Sequence, residues 1–130
     1  MKRAERVCVV VDDMFFAARI NAAAGAVGRE VERVRSRDQM EREIIVDPPW
    51  LLIIDLNADR LDPLQTIEYF KSQPALSRVP IVGFVSHVQT DLIRRAQAAG
   101  CDYVLPRSAF TQLLPDIVSG NLDRLPRRSS

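Results

Sequence analysis

The chain has 130 residues, 47% of them hydrophobic and 27% charged, with eighteen Lys and Arg against seventeen Asp and Glu and a formal charge of +1. That size and balance describe one ordinary globular domain, long enough to bury roughly two thirds of its unfolded surface, and they exclude a disordered chain. The lack of a basic excess argues against a nucleic-acid-binding domain.

Met1-Lys2-Arg3 looks like the start of a secretory signal, but the apolar run behind it, residues 7–11 (VCVVV), stops at Asp12-Asp13. It is too short for a signal core or a membrane span, so a cytoplasmic protein without a membrane segment is expected. A continuous β-branched run of this kind predicts a strand buried on both faces. Asp13 then opens a helical pattern (Ile20, Ala23, Ala24, Val27) that closes at Gly25 or Gly28. Residues 30–34 predict a short edge strand. Residues 37–46 carry Met40, Glu43 and Ile44 in helical register until Pro48-Pro49 stops them. A second central strand follows at 50–55.

Asp62-Pro63 reads as an N-cap with proline in the first helical position, and Leu64, Ile67 and Phe70 follow before Pro74. Residues 80–85 predict a third buried strand. Leu92, Ile93, Ala96 and Ala99 predict a helix closed by Gly100, and 102–105 a short strand. Ser108 is placed to cap a last helix toward Gly120, which Pro115 is expected to kink. The stretch 121–130, with three arginines and two serines, predicts a short, frayed basic tail behind a domain at 1–120. Cys8 and Cys101 are far apart with no CxxC spacing, which predicts two buried thiols. The arginines at 29, 33, 35, 37 and 42 alternate with Glu30, Glu32, Asp38, Glu41 and Glu43, which predicts a solvated mixed-charge face.

Five strands alternating with five helices make an α/β domain, a parallel sheet covered on both faces by right-handed crossovers. Function in such sheets gathers beyond the carboxyl ends of the strands. There the sequence places Asp12 and Asp13 after the first strand, Asp55 at the end of the third, Ser86 after the fourth and Arg107 after the fifth. Three carboxylates on one edge demand a bound cation or a retained proton. With no His or Cys beside them, a hard divalent ion such as Mg²⁺ suits them better than Zn²⁺.

The segments VVVDD (9–13), LLIIDLN (51–57), VPIVGFVSH (79–87) and AAGCDYVLPRS (98–108) resemble the receiver domain of bacterial response regulators, the family that includes the chemotaxis regulator. The resemblance spans residues 5–120. It implies a flavodoxin-like doubly wound (βα)5 fold with strand order 2-1-3-4-5. It also implies that Asp55 is a phosphoacceptor and that Asp12, Asp13, Asp55 and the backbone carbonyl of Asn57 hold Mg²⁺. Ser86 and Arg107 stand at the switch positions, where the family has a lysine in place of Arg107. His87, next to Ser86, stands where a small residue usually leaves the phosphoacceptor accessible, so it is expected to modulate access. Other departures are the absence of a proline after Arg107, Val104 at the aromatic switch position with Tyr103 one step out of register, and Asp59 in place of a loop proline.

The implied role is a stand-alone receiver in a two-component phosphorelay. It takes a phosphoryl group from a sensor histidine kinase or phosphotransfer protein and signals to a downstream protein by contact. Beyond self-phosphorylation no enzymatic activity is expected, no nucleic acid or membrane is expected as partner, and two copies could pair through the last helix. Trp50 fluorescence is expected to report Mg²⁺ binding. The alternative is a pseudo-receiver, a constitutive interaction module that is never phosphorylated. A hydrolase triad is disfavoured because Ser86 and the single histidine are adjacent, and the five glycines form no nucleotide-binding motif.

Overall fold

The first apolar run forms β1 (Arg6–Val10) in the computed structural model, which describes residues 5–87 and 89–126. Asp13 then caps α1 (Met14–Ala26), its carboxylate accepting the amides of Phe15 and Phe16 at 2.9 and 3.1 Å. The polar sequence EVER forms the half-buried edge strand β2 (Glu30–Arg33). Ser36 caps the short α2 (Arg37–Gln39), which widens into a π-helical turn (Met40–Ile44) where one continuous helix was expected. Then come β3 (Leu51–Asp55), α3 (Pro63–Ser72), β4 (Ile81–Val85), α4 (Thr90–Ala99), β5 (Tyr103–Pro106) and α5 (Arg107–Ser119). Asp62 caps α3 as the sequence suggests, accepting the Gln65 amide at 3.2 Å with Pro63 directly behind it.

All strand pairs are parallel, in the order β2-β1-β3-β4-β5. This is the flavodoxin-like order implied by the resemblance. Strand alternation sends Cys8, Val10, Leu52, Ile54, Ile81 and Val85 to one face, against Met40, Ile44, Ile67, Phe70 and Ala96. It sends Val7, Val9, Leu51, Ile53, Val82 and Phe84 to the other, against Phe16, Ile20, Phe110, Leu114 and Ile117. Both faces are thus closed, which is why β1, β3 and β4 read as unbroken apolar runs.

Two close approaches depend on glycine. Gly83 in β4 lies against Cys101, where a Cβ would stand 3.1 Å from the thiol sulfur. Cys101 itself is fully enclosed, and burial pushes its thiol up to about 12. Gly120 closes α5 with φ +86°, and a Cβ there would stand 2.6 Å from the Trp50 ring.

Three expectations change at the C-terminal end. α5 begins at Arg107, with Pro106 in the N-cap position, so Ser108 lies inside the helix and is not its cap. The extended φ and ψ of Pro106 (−64°, 151°) let β5 run directly into the helix with no intervening loop. Pro115 does not interrupt α5, which is continuous to Ser119, and the residue sits on its exposed side. Residues 121–126 are not frayed, for Leu122 and Leu125 turn back onto the α1/α5 face through a 3₁₀ turn (Leu122–Arg124). Tail residues 127–130 lie outside the described residues.

Leu125 is only 3% exposed. Leu125→Ala should therefore destabilise the domain by about 2–3 kcal/mol, the usual cost of emptying a buried leucine site. Urea unfolding checks this, and a change below about 0.5 kcal/mol, typical of surface substitutions, would show that the segment does not close the core.

Candidate functional site

Parallel pairing brings every strand's carboxyl end to one edge. Val10 is level with Ile54, Asp55 with Phe84, and Val85 with Pro106. Asp12, Asp13, Asp55, Ser86 and Arg107 therefore stand at a common rim, as the sequence suggests. Their interactions, however, separate the three carboxylates.

Asp55 is the most enclosed of the three, 9% exposed at the end of β3. Its Oδ1 accepts the Asn57 amide at 2.9 Å. Burial raises its pKa above the ordinary carboxylate value. The Asn57 amide and the Arg107 charge oppose that rise, and the charges of Asp12 and Asp13 add to it. Asp12 points away into the β3–α3 loop, its Oδ2 accepting the amides of Asp59 and Arg60 at 2.8 and 3.3 Å. Asp13 is exposed and fully engaged: Oδ1 caps α1 and Oδ2 accepts Arg107 Nη2 at 3.0 Å. The Phe16 amide, then Arg107, hold its pKa below the ordinary value.

Arg107 takes a position the sequence did not reveal. Its guanidinium is bound to Asp13 and lies 4.3 Å from the centre of the Phe16 ring. That ring packs against Phe84 (4.9 Å) and Phe110 (5.6 Å), so the arginine stacks on an aromatic cluster in the α1/α5 core. The first residue of α5 is thereby tied to the first turn of α1.

Asn57, expected to contribute its backbone carbonyl, also bridges with its side chain. Its Oδ1 accepts the Ser86 amide at 3.0 Å and its Nδ2 donates to Gln89 Oε1 at 2.7 Å. Gln89, which precedes α4, was not singled out in the sequence, because a lone glutamine carries no motif. Ser86 and His87 are both exposed beyond β4.

Among the described residues, no three His, Cys, Asp or Glu side chains are grouped as a metal site. The convergence expected of the three carboxylates is relieved in three ways: loop amides for Asp12, a guanidinium for Asp13, and burial favouring the protonated form of Asp55. The donors still match a hard divalent cation in kind, with Arg107 as its competitor for Asp13. Trp50 precedes β3 at the opposite edge, a strand length or about 16 Å from Asp55, and is therefore no local reporter of this rim.

No family model matches the chain. A gliding motility regulatory protein of Myxococcus xanthus is 26% identical over 120 residues, which cover 92% of this chain and 15% of that protein. The chain thus spans a small part of that relative. Among solved structures, a response regulator receiver domain protein of Methanospirillum hungatei superposes with TM-score 0.75, at 15% identity, over 94% of this chain and 96% of that one. The fold is that of a response regulator receiver domain. The phosphorylated cyanobacterial phytochrome response regulator RcpA shares the receiver fold at TM-score 0.71 and 24% identity, covering 95% of this chain and 94% of that chain. The Mn²⁺-bound form of response regulator Rcp1 does so at TM-score 0.73 and 17% identity, covering 96% and 99%. No helix among the described residues is long and apolar enough to cross a membrane.

The two perturbed carboxyls give opposite pH dependences. Asp13, held low, stabilises the fold above the ordinary carboxylate range, and that stabilisation is lost as pH falls through its folded value. Asp55, held high, opposes folding: as pH rises past the ordinary value the unfolded chain ionises first and stability falls. In metal-free buffer Asp55→Asn should therefore raise the melting temperature at about pH 7 and leave it nearly unchanged at about pH 3, where both states hold the proton. An equal effect at both pH values would contradict the burial of this charge.

Proposed function

We propose that this receiver-fold chain acts in two-component signal transduction as a phosphoacceptor. An Asp55 carboxylate oxygen attacks the phosphorus of a donor, and an acyl phosphate forms as the donor's bond to phosphorus breaks and its electron pair leaves with the donor group. The observation that carries this reading is the enclosed Asp55 at the carboxyl edge of the sheet, the least exposed of the three acids and held by one backbone amide, where Asp12 takes two loop amides and Asp13 a helix cap and a guanidinium. Donors of the matching class are a sensor histidine kinase or phosphotransfer protein in the cytoplasm. The output is contact with a downstream protein, and no chemistry beyond self-phosphorylation is assigned.

Asp12, Asp13, Asp55 and the Asn57 carbonyl would hold Mg²⁺, which when bound supplies charge neutralisation of the phosphoryl oxygens. Arg107, released from Asp13, is within reach of the same rim, and its planar fork suits a phosphoryl group. Ser86, whose amide is already held by Asn57, supplies a hydroxyl beside it, and His87 flanks the approach. A second reading, a constitutive interaction module, draws on the Arg107–Asp13 pair stacked on Phe16, which already supplies a positive charge at the rim.

Incubation with Mg²⁺ and a small acyl phosphate, followed by intact mass, separates the two. The first reading expects a phosphoryl adduct that is absent from Asp55→Asn, and its lack in the unaltered chain would favour the constitutive module. Because the pair Mg²⁺ must displace is solvent-exposed, Arg107→Ala should tighten Mg²⁺ binding only a few-fold, measured by calorimetry. Arg107→Lys should speed adduct formation, and an unchanged rate would mean that the arginine is not limiting.

A further inference from the structure

The alternating charges of residues 29–43 do not behave as one solvated face. Arg29 pairs with Glu5 at 3.3 Å, Arg37 with Glu41 at 3.6 Å and Arg42 with Asp38 at 2.9 Å. Glu32, the acid next to Arg33 in β2, is taken by Arg6 at 2.6 Å and by the Gln39 side-chain amide at 3.2 Å. Arg33 and Arg35 are left out of this pairing. Together with Arg60 from the β3–α3 loop they line a cavity of about 190 Å³ whose remaining walls are Val10, Val11, Asp12, Val34 and Leu61. Among the described residues no carboxylate is paired with any of these three guanidiniums. The one acid lining the cavity, Asp12, has its Oδ2 on the Asp59 and Arg60 amides.

Three arginines lining one recess repel each other, and among the described residues the one acid in the lining, Asp12, is itself hydrogen-bonded. The apolar part of the lining, Val10, Val11, Val34 and Leu61, lowers the local polarity on one side of the arginines, which strengthens an anion's attraction for them. The recess lies beyond the carboxyl ends of β1 and β2, where open α/β sheets take their ligands. The recess is small against the roughly 300–1,000 Å³ of ordinary small-molecule sites, a size that suits one or two phosphate groups. Guanidinium forks match phosphate oxygens bidentately, and a dianion or higher is needed to balance the lining.

We propose that the Arg33–Arg35–Arg60 cavity is an anion site for a small phosphate compound, between orthophosphate and diphosphate in size. It does not depend on Asp55 being phosphorylated. Its ligand would also hold the β3–α3 loop, because Arg60 lines the cavity and gives its amide to Asp12.

The test is calorimetric titration with pyrophosphate in the absence of divalent cations, repeated with orthophosphate, glycerol phosphate and citrate. Saturable one-site binding is expected for pyrophosphate. Arg35→Gln and Arg60→Gln, both exposed positions, should each weaken it about tenfold or more, as expected for loss of a charge-assisted contact. Arg78→Gln, an exposed arginine at the opposite edge, should leave it unchanged. Retained melting temperatures show that the variants are folded. Orthophosphate binding without glycerol phosphate binding identifies free phosphate as the ligand form, and the reverse identifies a phosphoester. Absence of saturation, equal loss in Arg78→Gln, or citrate binding as tightly as pyrophosphate would each overturn the assignment.

Discussion

The constraint that organises this molecule is the parallel sheet closed on both faces. β1, β3 and β4 contribute no residue to solvent along their lengths, so charged side chains in them stand only at a strand's first or last residue, as Arg6 and Asp55 do. Asp55 stands at that limit, the last residue of β3 and the first able to reach the rim. Its raised pKa follows from its position: it keeps much of the core's low polarity and receives one amide in compensation. A reactive carboxyl is thus obtained from the architecture itself rather than from a dedicated pocket.

The rim also shows how neighbouring acids are each engaged by the protein. Each uses a different device, and each device ties two elements together. Asp12 fastens the β3–α3 loop to β1, Asp13 joins the start of α1 to α5 through Arg107, and Asn57 spans from Asp55 to the β4–α4 segment. The charged residues of the site are therefore also its structural clamps, and a change in the partner of one is felt in a loop or helix rather than at a single atom.

Most of the fold was legible because it rests on periodicity and punctuation. Buried strands read as unbroken apolar runs, Asp62-Pro63 marks a helix start, and Gly100, at φ +112°, marks a helix end. The rim residues were legible for the same reason, since parallel topology fixes which residues end strands. What sequence could not supply was the choice of partner between residues distant in the chain. Arg107 meets Asp13 rather than Asp55 because β5 enters α5 without a loop and turns the guanidinium onto Phe16. Leu122 and Leu125 are only two apolar residues in a polar segment, too few for a pattern, yet each finds the α1/α5 face. Pro115 signals a break that does not occur: on the exposed side of α5 its lost donor leaves the helix unbroken. The alternating charges of β2 and its surroundings looked uniform because pairing, which distinguishes Arg37 from Arg35, is a property of space and not of spacing.

The Cys101 thiol, two residues before the outer strand β5, is buried against Gly83 of β4 and held protonated by its surroundings. Only a thiolate that reaches solvent reacts with an alkylating reagent. Covalent labelling at this position must therefore wait for β5 to part from β4, and its rate measures how often that edge of the sheet opens while the rest of the domain stays folded.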